Sequence, residues 1–236
     1  MLKKIIFHLK LFLSNDWNMY QVYAKYKGIT FGKKVRILHP PRFGSEPYLI
    51  EIGDNVTITR GVTFVNHDGG VAVFRKEYPG LNVYGRIKIG NNVFMGLNTV
   101  INTKSALVKI EDNVMFGRGV SIMCGDHNIS FVGTPMRFVK TGGKDFPILI
   151  QKDVWIGANV TILKGVTIGE GAVIGAGSVI SKSLPPYSVC IGNPCVPVKL
   201  RFSESDLEKH LQECGSIYST KEVLDLFTSS NNKKQQ

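Results

Sequence analysis

An aliphatic residue recurs every six positions through the second half of the chain, at Ile150, Ile156, Ile162, Ile168, Ile174 and Ile180. A second inward position follows four residues after each of the first five, at Val154, Val160, Val166, Ala172 and Ser178. On a helix, a step of six would rotate successive isoleucines by about 240°, so no common face would form. V-x-I alternation suits two-sided strands of minimal length. Gly157, Gly165, Gly169, Gly171, Gly175 and Gly177 fall near the positions where tight corners need permissive backbone. The same phase runs through Ile52–Ile58–Phe64, Ile89–Met95–Ile101 and Ile110–Phe116–Ile122, with a weaker start at Phe31 and Val35–Ile37. Short strands turning a corner every six residues close into a three-sided coil of about 18 residues, and such coils stack about 4.8 Å apart around an aliphatic centre. The pattern predicts an all-β parallel β-helix of about six coils.

The step fails twice. "FVNHDGGVAVFRKEYPGLNVYG" follows one triplet, and "CGDHNISFVGTPMRFVKTGGKDF" lies between Ile122 and Ile150, whose separation of 28 is not a multiple of six. Each excursion opens on a histidine, His67 or His127. The excursions are expected over 65–86 and 123–147, inside a β-helical domain spanning 49–202. Four prolines in "SLPPYSVCIGNPCVPVKLRF" prevent further regular coils. In the C-terminal segment, 203–236, Ser205 and Glu208 are spaced for a capping box, with Gly215 as a stop. "TKEVLDLF" reads as one more helix and "TSSNNKKQQ" as a frayed tail. At the other end, Leu2, Ile5, Ile6, Leu9, Phe12 and Leu13 share one helical face, with Lys3, Lys4 and Lys10 mostly opposite, in a basic capping segment over 1–48.

Composition adjusts this picture at its margins. Hydrophobic residues at 43% and charged residues at 20% are ordinary for a soluble globular protein. Four cysteines with neither a C-x-x-C pair nor ligand-like spacing to histidine fit a reduced cytosolic chain without structural zinc. The net charge is +11, and residues 1–48 hold nine Lys/Arg against two acids, or +7 of that total. That basic segment suits packing on its own domain or a subunit neighbour, or alternatively resting on an anionic membrane surface. His8 and Lys10 interrupt its apolar core as a signal peptide, and no apolar run is long enough to span a bilayer. Basic and aromatic residues do not interleave as a nucleic-acid module, so nucleic acid is not an expected partner.

The run "VWIGANVTILKGVTIGEGAVIGAGSVISKSLPPYSVCIGNPCVPVKL" resembles the hexapeptide-repeat acyltransferases, and the resemblance extends over about residues 30–202. It implies a left-handed β-helix, a hand that general crossover rules would not favour. Within that family, "FGSEPYLIEIGDNVTI…NHDGG" and "KLRFSESDLEKHL" look most like O-acetyltransferases of surface polysaccharides. The resemblance implies acetyl-CoA as co-substrate, a saccharide acceptor in a bacterial polysaccharide or its precursor, and a homotrimer with sites between neighbouring coils. It implies a cytoplasmic enzyme, peripheral to the inner membrane face if the N-terminal helix binds there. Acetylation of a small sugar or a nucleotide-linked amino sugar stays open, as does a catalytically silent scaffold. The fold's carbonic-anhydrase-type metal enzymes need three converging histidines. Only His67 and His127 lie in suitable loops, so no metal is expected.

Moving an acetyl group from a thioester to a hydroxyl needs a base for the hydroxyl proton, donors for the oxyanion and two substrates held together. His127 is the leading base, because the family's catalytic histidine resembles it in placement: after a completed triplet and upstream of the W-I-G strand. His67 is its rival, as an alternative base or an acceptor contact, and the two excursions admit either two sites or one shared cleft. Asp126 adjoins His127 and is a candidate for steadying its tautomer. Asn98 lies about one residue out of register with the family's acceptor-binding asparagine. Trp155 would turn an outward indole toward the pantetheine arm, the acceptor or a neighbouring subunit. For CoA the resemblance points to Gly157 and Ala158, Gly175 and Ala176 at outer corners, and to Lys182, Lys199 and Arg201 near its phosphates. Asn193 and Pro194 form the "GNP" turn, followed by Cys195 where the family often has alanine.

Overall fold

A computed structural model describes residues 5–6, 22, 24–25, 27–139 and 144–232. The amphipathic N-terminal face falls outside these residues except for Ile5 and Ile6, which are helical and exposed. The rest of the chain winds as a left-handed parallel β-helix, with three sheets forming the faces of a prism. The first and third sheets have six strands, one per coil, and the second has eight. The initial coil is complete, with strands Thr30–Phe31, Arg36–Ile37 and Arg42–Phe43. The β-helix therefore starts inside the segment assigned to capping, and the weak pattern at Phe31 and Val35–Ile37 is a full turn.

Register explains the six-residue step. On the first sheet Phe31, Ile52, Ile89, Ile110, Ile150 and Ile168 lie in successive strands as direct partners. On the third sheet Phe43, Phe64, Ile101, Ile122, Ile162 and Ile180 do the same. The second inward series, Val154, Val160, Val166, Ala172 and Ser178, is buried throughout. Each such isoleucine removed from water stabilises the coil by about 1.5–3 kcal/mol. Ser178 is accommodated because its hydroxyl donates to the carbonyl of Gly175 and accepts from the amide of Gly192.

The corners use left-handed backbone. From the first sheet to the second they carry Lys34, Asn55, Asn92, Asn113 and Asp153, with φ between 54° and 62°. Asparagine and aspartate tolerate this region better than most residues. Their amides stack, Asn55 Nδ2 donating to Asn92 Oδ1 at 2.9 Å and Asn92 Nδ2 to Asn113 Oδ1 at 3.0 Å. From the second sheet to the third, glycine and asparagine alternate at Gly61, Asn98, Gly119, Asn159 and Gly177, all at positive φ.

After the strand Ser188–Ile191 the chain reverses into the antiparallel strand Val196–Leu200 and leaves the coil. Helices Glu204–Glu213 and Thr220–Asn232 then close that end, with Leu207, Leu211 and Val223 packed around Tyr187. The cap of the first helix is Ser203, whose hydroxyl accepts from the amide of Asp206, rather than the Ser205–Glu208 pair. The second helix runs on through "TSSNN", where a frayed tail was expected. Ser219 caps it by accepting from the Glu222 amide while the Glu222 carboxylate takes the Ser219 amide, which satisfies first-turn donors reciprocally.

Candidate functional site

Both excursions leave from the same edge, where the third sheet returns to the first. One occupies 66–85, after the strand Thr63–Val65, and the other 124–147, after Ser121–Met123, with two coils and a single corner between them. Side chains bridge that gap. Lys104, on the intervening corner, is largely buried; its Nζ donates to Asp68 Oδ2 at 3.1 Å and to the Asp126 carbonyl at 2.9 Å. Asp68 Oδ1 in turn accepts from the amides of Gly70 and Val71, which pins the start of the first excursion. Ser105, beside Lys104, donates through its amide and hydroxyl to Asp145 Oδ2, which pins the return of the second.

His127 stands exposed where the two excursions meet. It lines a cavity of about 220 Å³ with Gly70, Val71, Met136, Arg137 and Val139. A Cβ on Gly70 would lie 2.5 Å from His127 Cε1, so the second glycine of "HDGG" is shaped to the histidine of the other excursion. Arg137 crosses the same gap in the opposite sense, Nη1 donating to the Gly70 carbonyl at 3.1 Å, with its guanidinium above the Phe74 ring. Among the described residues, none hydrogen-bonds the His127 ring. The Asp126 carboxylate is directed elsewhere: it pairs with Lys164 and accepts from the Lys144 amide at 3.0 Å. The Lys164 contact is the main reason its carboxyl sits below the usual aspartate range. Asp126 thus anchors the loop around His127, and its carboxylate has no contact with the ring of the kind expected from their adjacency.

His67 sits in different surroundings. Its Nδ1 lies 3.2 Å from Oε2 of buried Glu46, close enough for an ion pair though off the line of a hydrogen bond. Arg75 approaches Glu46 Oε1 at 3.7 Å and donates to the Tyr84 hydroxyl at 2.6 Å. Buried Asn66 donates to the Glu46 carbonyl, and its Oδ1 lacks a partner. Glu46, Arg75, Lys104, Gly70 and Arg137 escaped the sequence reading. They come from the first-coil loop, both excursions and the corner between them, and no spacing rule links those segments.

The other expected residues lie away from this cleft. Asn98, Gly157 and Ala158, and Gly175 and Ala176 share the edge from the second sheet to the third, a different edge of the prism. Asn98 is a left-handed corner residue there, its amide donating to the Arg60 carbonyl. Gly157 lacks a Cβ because the backbone nitrogen of Ala176 would be 2.6 Å from it, so coil stacking already accounts for that glycine. At Gly177, beside Ala176, nothing lies within 4 Å of an added Cβ, and the edge is open. Trp155 points outward from the second sheet in register with Met115, which itself partners Phe94, and the three form an exposed apolar column. Lys182, Asn193, Pro194 and Lys199 are exposed. Arg201 is committed within the chain, to Asp153 Oδ2 at 2.7 Å and to the Gly171 carbonyl, and braces the C-terminal segment. Cys124, immediately before the second excursion, is buried; burial and then Asp145 push its thiol up to about 12, which keeps it protonated. Among the described residues no three His, Cys, Asp or Glu side chains converge as metal ligands.

Comparison with known proteins agrees with the coil. Residues 147–182 match the family model for bacterial transferase hexapeptide (six repeats). The chain is 57% identical to the protein CapG of Staphylococcus aureus over 76 residues, 31% of this chain and 44% of that protein. It is 35% identical to a galactoside O-acetyltransferase of Lactococcus lactis over 126 residues, 51% of this chain and 58% of that one. It spans about half the length of these relatives, 44% of one and 58% of the other. The crystal structure of AntD, an N-acyltransferase from Bacillus cereus in complex with dTDP and 3-hydroxybutyryl-CoA, superposes with a TM-score of 0.63 at 22% identity, covering 82% of this chain and 95% of AntD. That likeness is one of fold. The repeat, the three-sheet coil and these neighbours agree: the chain carries the bacterial transferase hexapeptide repeat over residues 147–182, set in a β-helix of the same kind as those neighbours.

Proposed function

We propose that the protein is an acetyl-CoA-dependent O-acetyltransferase that acetylates a sugar hydroxyl of a bacterial polysaccharide or its precursor, with His127 as general base. The observation that carries this reading is the convergence of both excursions on one cavity, with the His127 imidazole at its mouth and no described residue occupying its nitrogens. In the proposed reaction His127 takes the acceptor's hydroxyl proton as the oxygen attacks the thioester carbonyl. The new C–O bond forms, the C–S bond breaks, and the imidazolium returns the proton to the departing thiolate. His67, held by Glu46, serves the acceptor from the same cleft.

The open edge at Ala176 and Gly177 suits the pantetheine arm, with Lys182 and Lys199 as exposed cations for its phosphates. Since that edge and His127 are on different edges of one prism, the reading takes the acyl donor from a neighbouring copy in a homotrimer. The exposed column Phe94–Met115–Trp155 supports such contact. The domain division at 202 and a cytoplasmic location belong to the same proposal. Among the described residues no helix is long and apolar enough to cross a membrane. Release of CoA thiol from acetyl-CoA, measured against a panel of sugars, tests the reaction. Failure to release thiol with any acceptor would leave a β-helix scaffold. The likeness to AntD, which is bound to dTDP and a CoA thioester, supports a second reading, N-acylation of a nucleotide-linked amino sugar. Product NMR separates ester from amide.

A further inference from the structure

We infer that the acceptor is an acidic saccharide, and that Arg137 binds an oxyanion on the sugar unit that is acetylated. The inference rests on the transferase reading and specifies what the cavity selects. Three observations carry it.

The cavity, at about 220 Å³, is smaller than the range usual for drug-sized ligands, so it suits one sugar unit rather than an oligosaccharide or a whole nucleotide sugar. Its floor is apolar, from buried Val71 and Val139 with Met136, and can take the C–H face of a pyranose. Among the described residues its polar side chains are His127 and Arg137, which sets a cation beside the base.

Three carboxylates around the cleft already have cationic neighbours, and a fourth, Asp145, is held by Ser105. Asp68 is paired with Lys104, Asp126 with Lys164, and Glu46 with His67 and Arg75. Arg137 has no carboxylate within ion-pair distance among the described residues. A substrate anion entering here would meet a cation that no acid of this site neutralises.

The guanidinium is also positioned in advance. One N–H is held on the Gly70 carbonyl and the plane rests over Phe74, which leaves the rest of its N–H fork to face a ligand. A planar fork matches the geometry of a carboxylate or phosphate bidentately, and a prearranged one loses less freedom on binding. A neutral sugar would make no use of the remaining fork, which water would then hold.

The oxyanion has two possible sources, the carboxylate of a uronic acid or a phosphate ester, and the test separates them. Binding of methyl β-D-glucuronide, glucose 6-phosphate and methyl β-D-glucoside is measured by titration calorimetry on the full-length protein, its Arg137→Gln variant and its Arg137→Lys variant. The expected result is that at least one anionic probe binds about tenfold or more tightly than the neutral glycoside. Arg137→Gln abolishes that preference, and Arg137→Lys, which keeps charge but loses the fork, restores part of it. Preference for the glucuronide identifies a carboxylate, and preference for the phosphate identifies a phosphate ester. Equal binding of the three probes, binding of none, or an undiminished preference in Arg137→Gln overturns the inference. Circular dichroism of each variant excludes unfolding as the cause of a loss. The CoA-release assay reads the transferase separately: turnover of neutral sugars without anion preference sinks the inference and spares the reaction, while anion binding without turnover does the reverse.

Discussion

The two excursions start alike and end differently. Both leave the same edge after a completed coil, and each opens with a histidine two or four residues past its last strand. In the first, His67 is drawn against buried Glu46 and walled by Arg75, Tyr84 and Asn66. In the second, His127 is exposed, carries no described hydrogen bond and faces the backbone of Gly70 from the other excursion. A neighbouring carboxylate holds one imidazole in place, whereas the other ring keeps both nitrogens open to a ligand. On the proposed function, recognition falls to the first excursion and proton transfer to the second.

The sharpest way to break that division is to remove each ring in turn. His127→Ala should lower acetyl transfer by about 10²–10⁴-fold, the usual contribution of a positioned base, and His67→Ala should retain a measurable share. Equal residual activity in the two variants, or a dead His67→Ala beside an active His127→Ala, would reverse the roles.

The link between the excursions comes next in size. Lys104→Met leaves Asp68 buried without its cation and should destabilise the fold by about 3 kcal/mol, read from urea unfolding. An unchanged midpoint would mean that the two excursions are not joined through this residue.

A smaller change probes the shared wall. In Gly70→Ala the new Cβ meets His127 at 2.5 Å, and the exposed ring can swing aside. We expect a loss of about tenfold in kcat with stability nearly unchanged, since a displaced base misses its near-attack geometry. If kcat holds while the melting temperature drops, Gly70 serves the loop rather than the base.

Asp126→Asn should have the least effect. Lys164 depresses the Asp126 carboxyl, so its stabilisation is present at neutral pH and is lost as pH falls through the lowered value. The pair is solvent-accessible, so screening holds the contribution below about 1 kcal/mol. Thermal melts at neutral and acidic pH, with and without added salt, would show the wild-type advantage shrink on acidification and in salt. An advantage that grew on acidification would contradict the assignment.

Much of the coil was legible in the sequence because its physics is periodic. Inward positions such as Ile110, Phe116 and Ile122 repeat at the step that the three-sided stack imposes, and all are buried. Exceptions arose where a local rule had several solutions. Ser203 rather than Ser205 caps the penultimate helix, since both serines precede a suitably placed acid. The cleft was half legible. The failed step announced both excursions and both histidines, but Glu46, Gly70, Lys104 and Arg137 gain meaning only once coils far apart in sequence are stacked. Asp126 and Arg201 show the converse. Proximity in sequence or resemblance offered each a partner, and a nearer opposite charge took the side chain instead.

The edge from the second sheet to the third obeys a parity that the neighbouring edge does not. A Cβ on Gly61 would collide with the Asn98 amide, and one on Gly119 with the Asn159 amide. Each asparagine therefore fills the space that a glycine one layer earlier leaves empty. Along the edge from the first sheet to the second, Asn55, Asn92 and Asn113 follow one another without alternation. A coil added or lost singly preserves the asparagine edge, yet it sets amide on amide or gap on gap along the glycine–asparagine edge. The smallest length change that both edges tolerate is a pair of coils, so this prism grows and shrinks in steps of two layers although its strands repeat in steps of one.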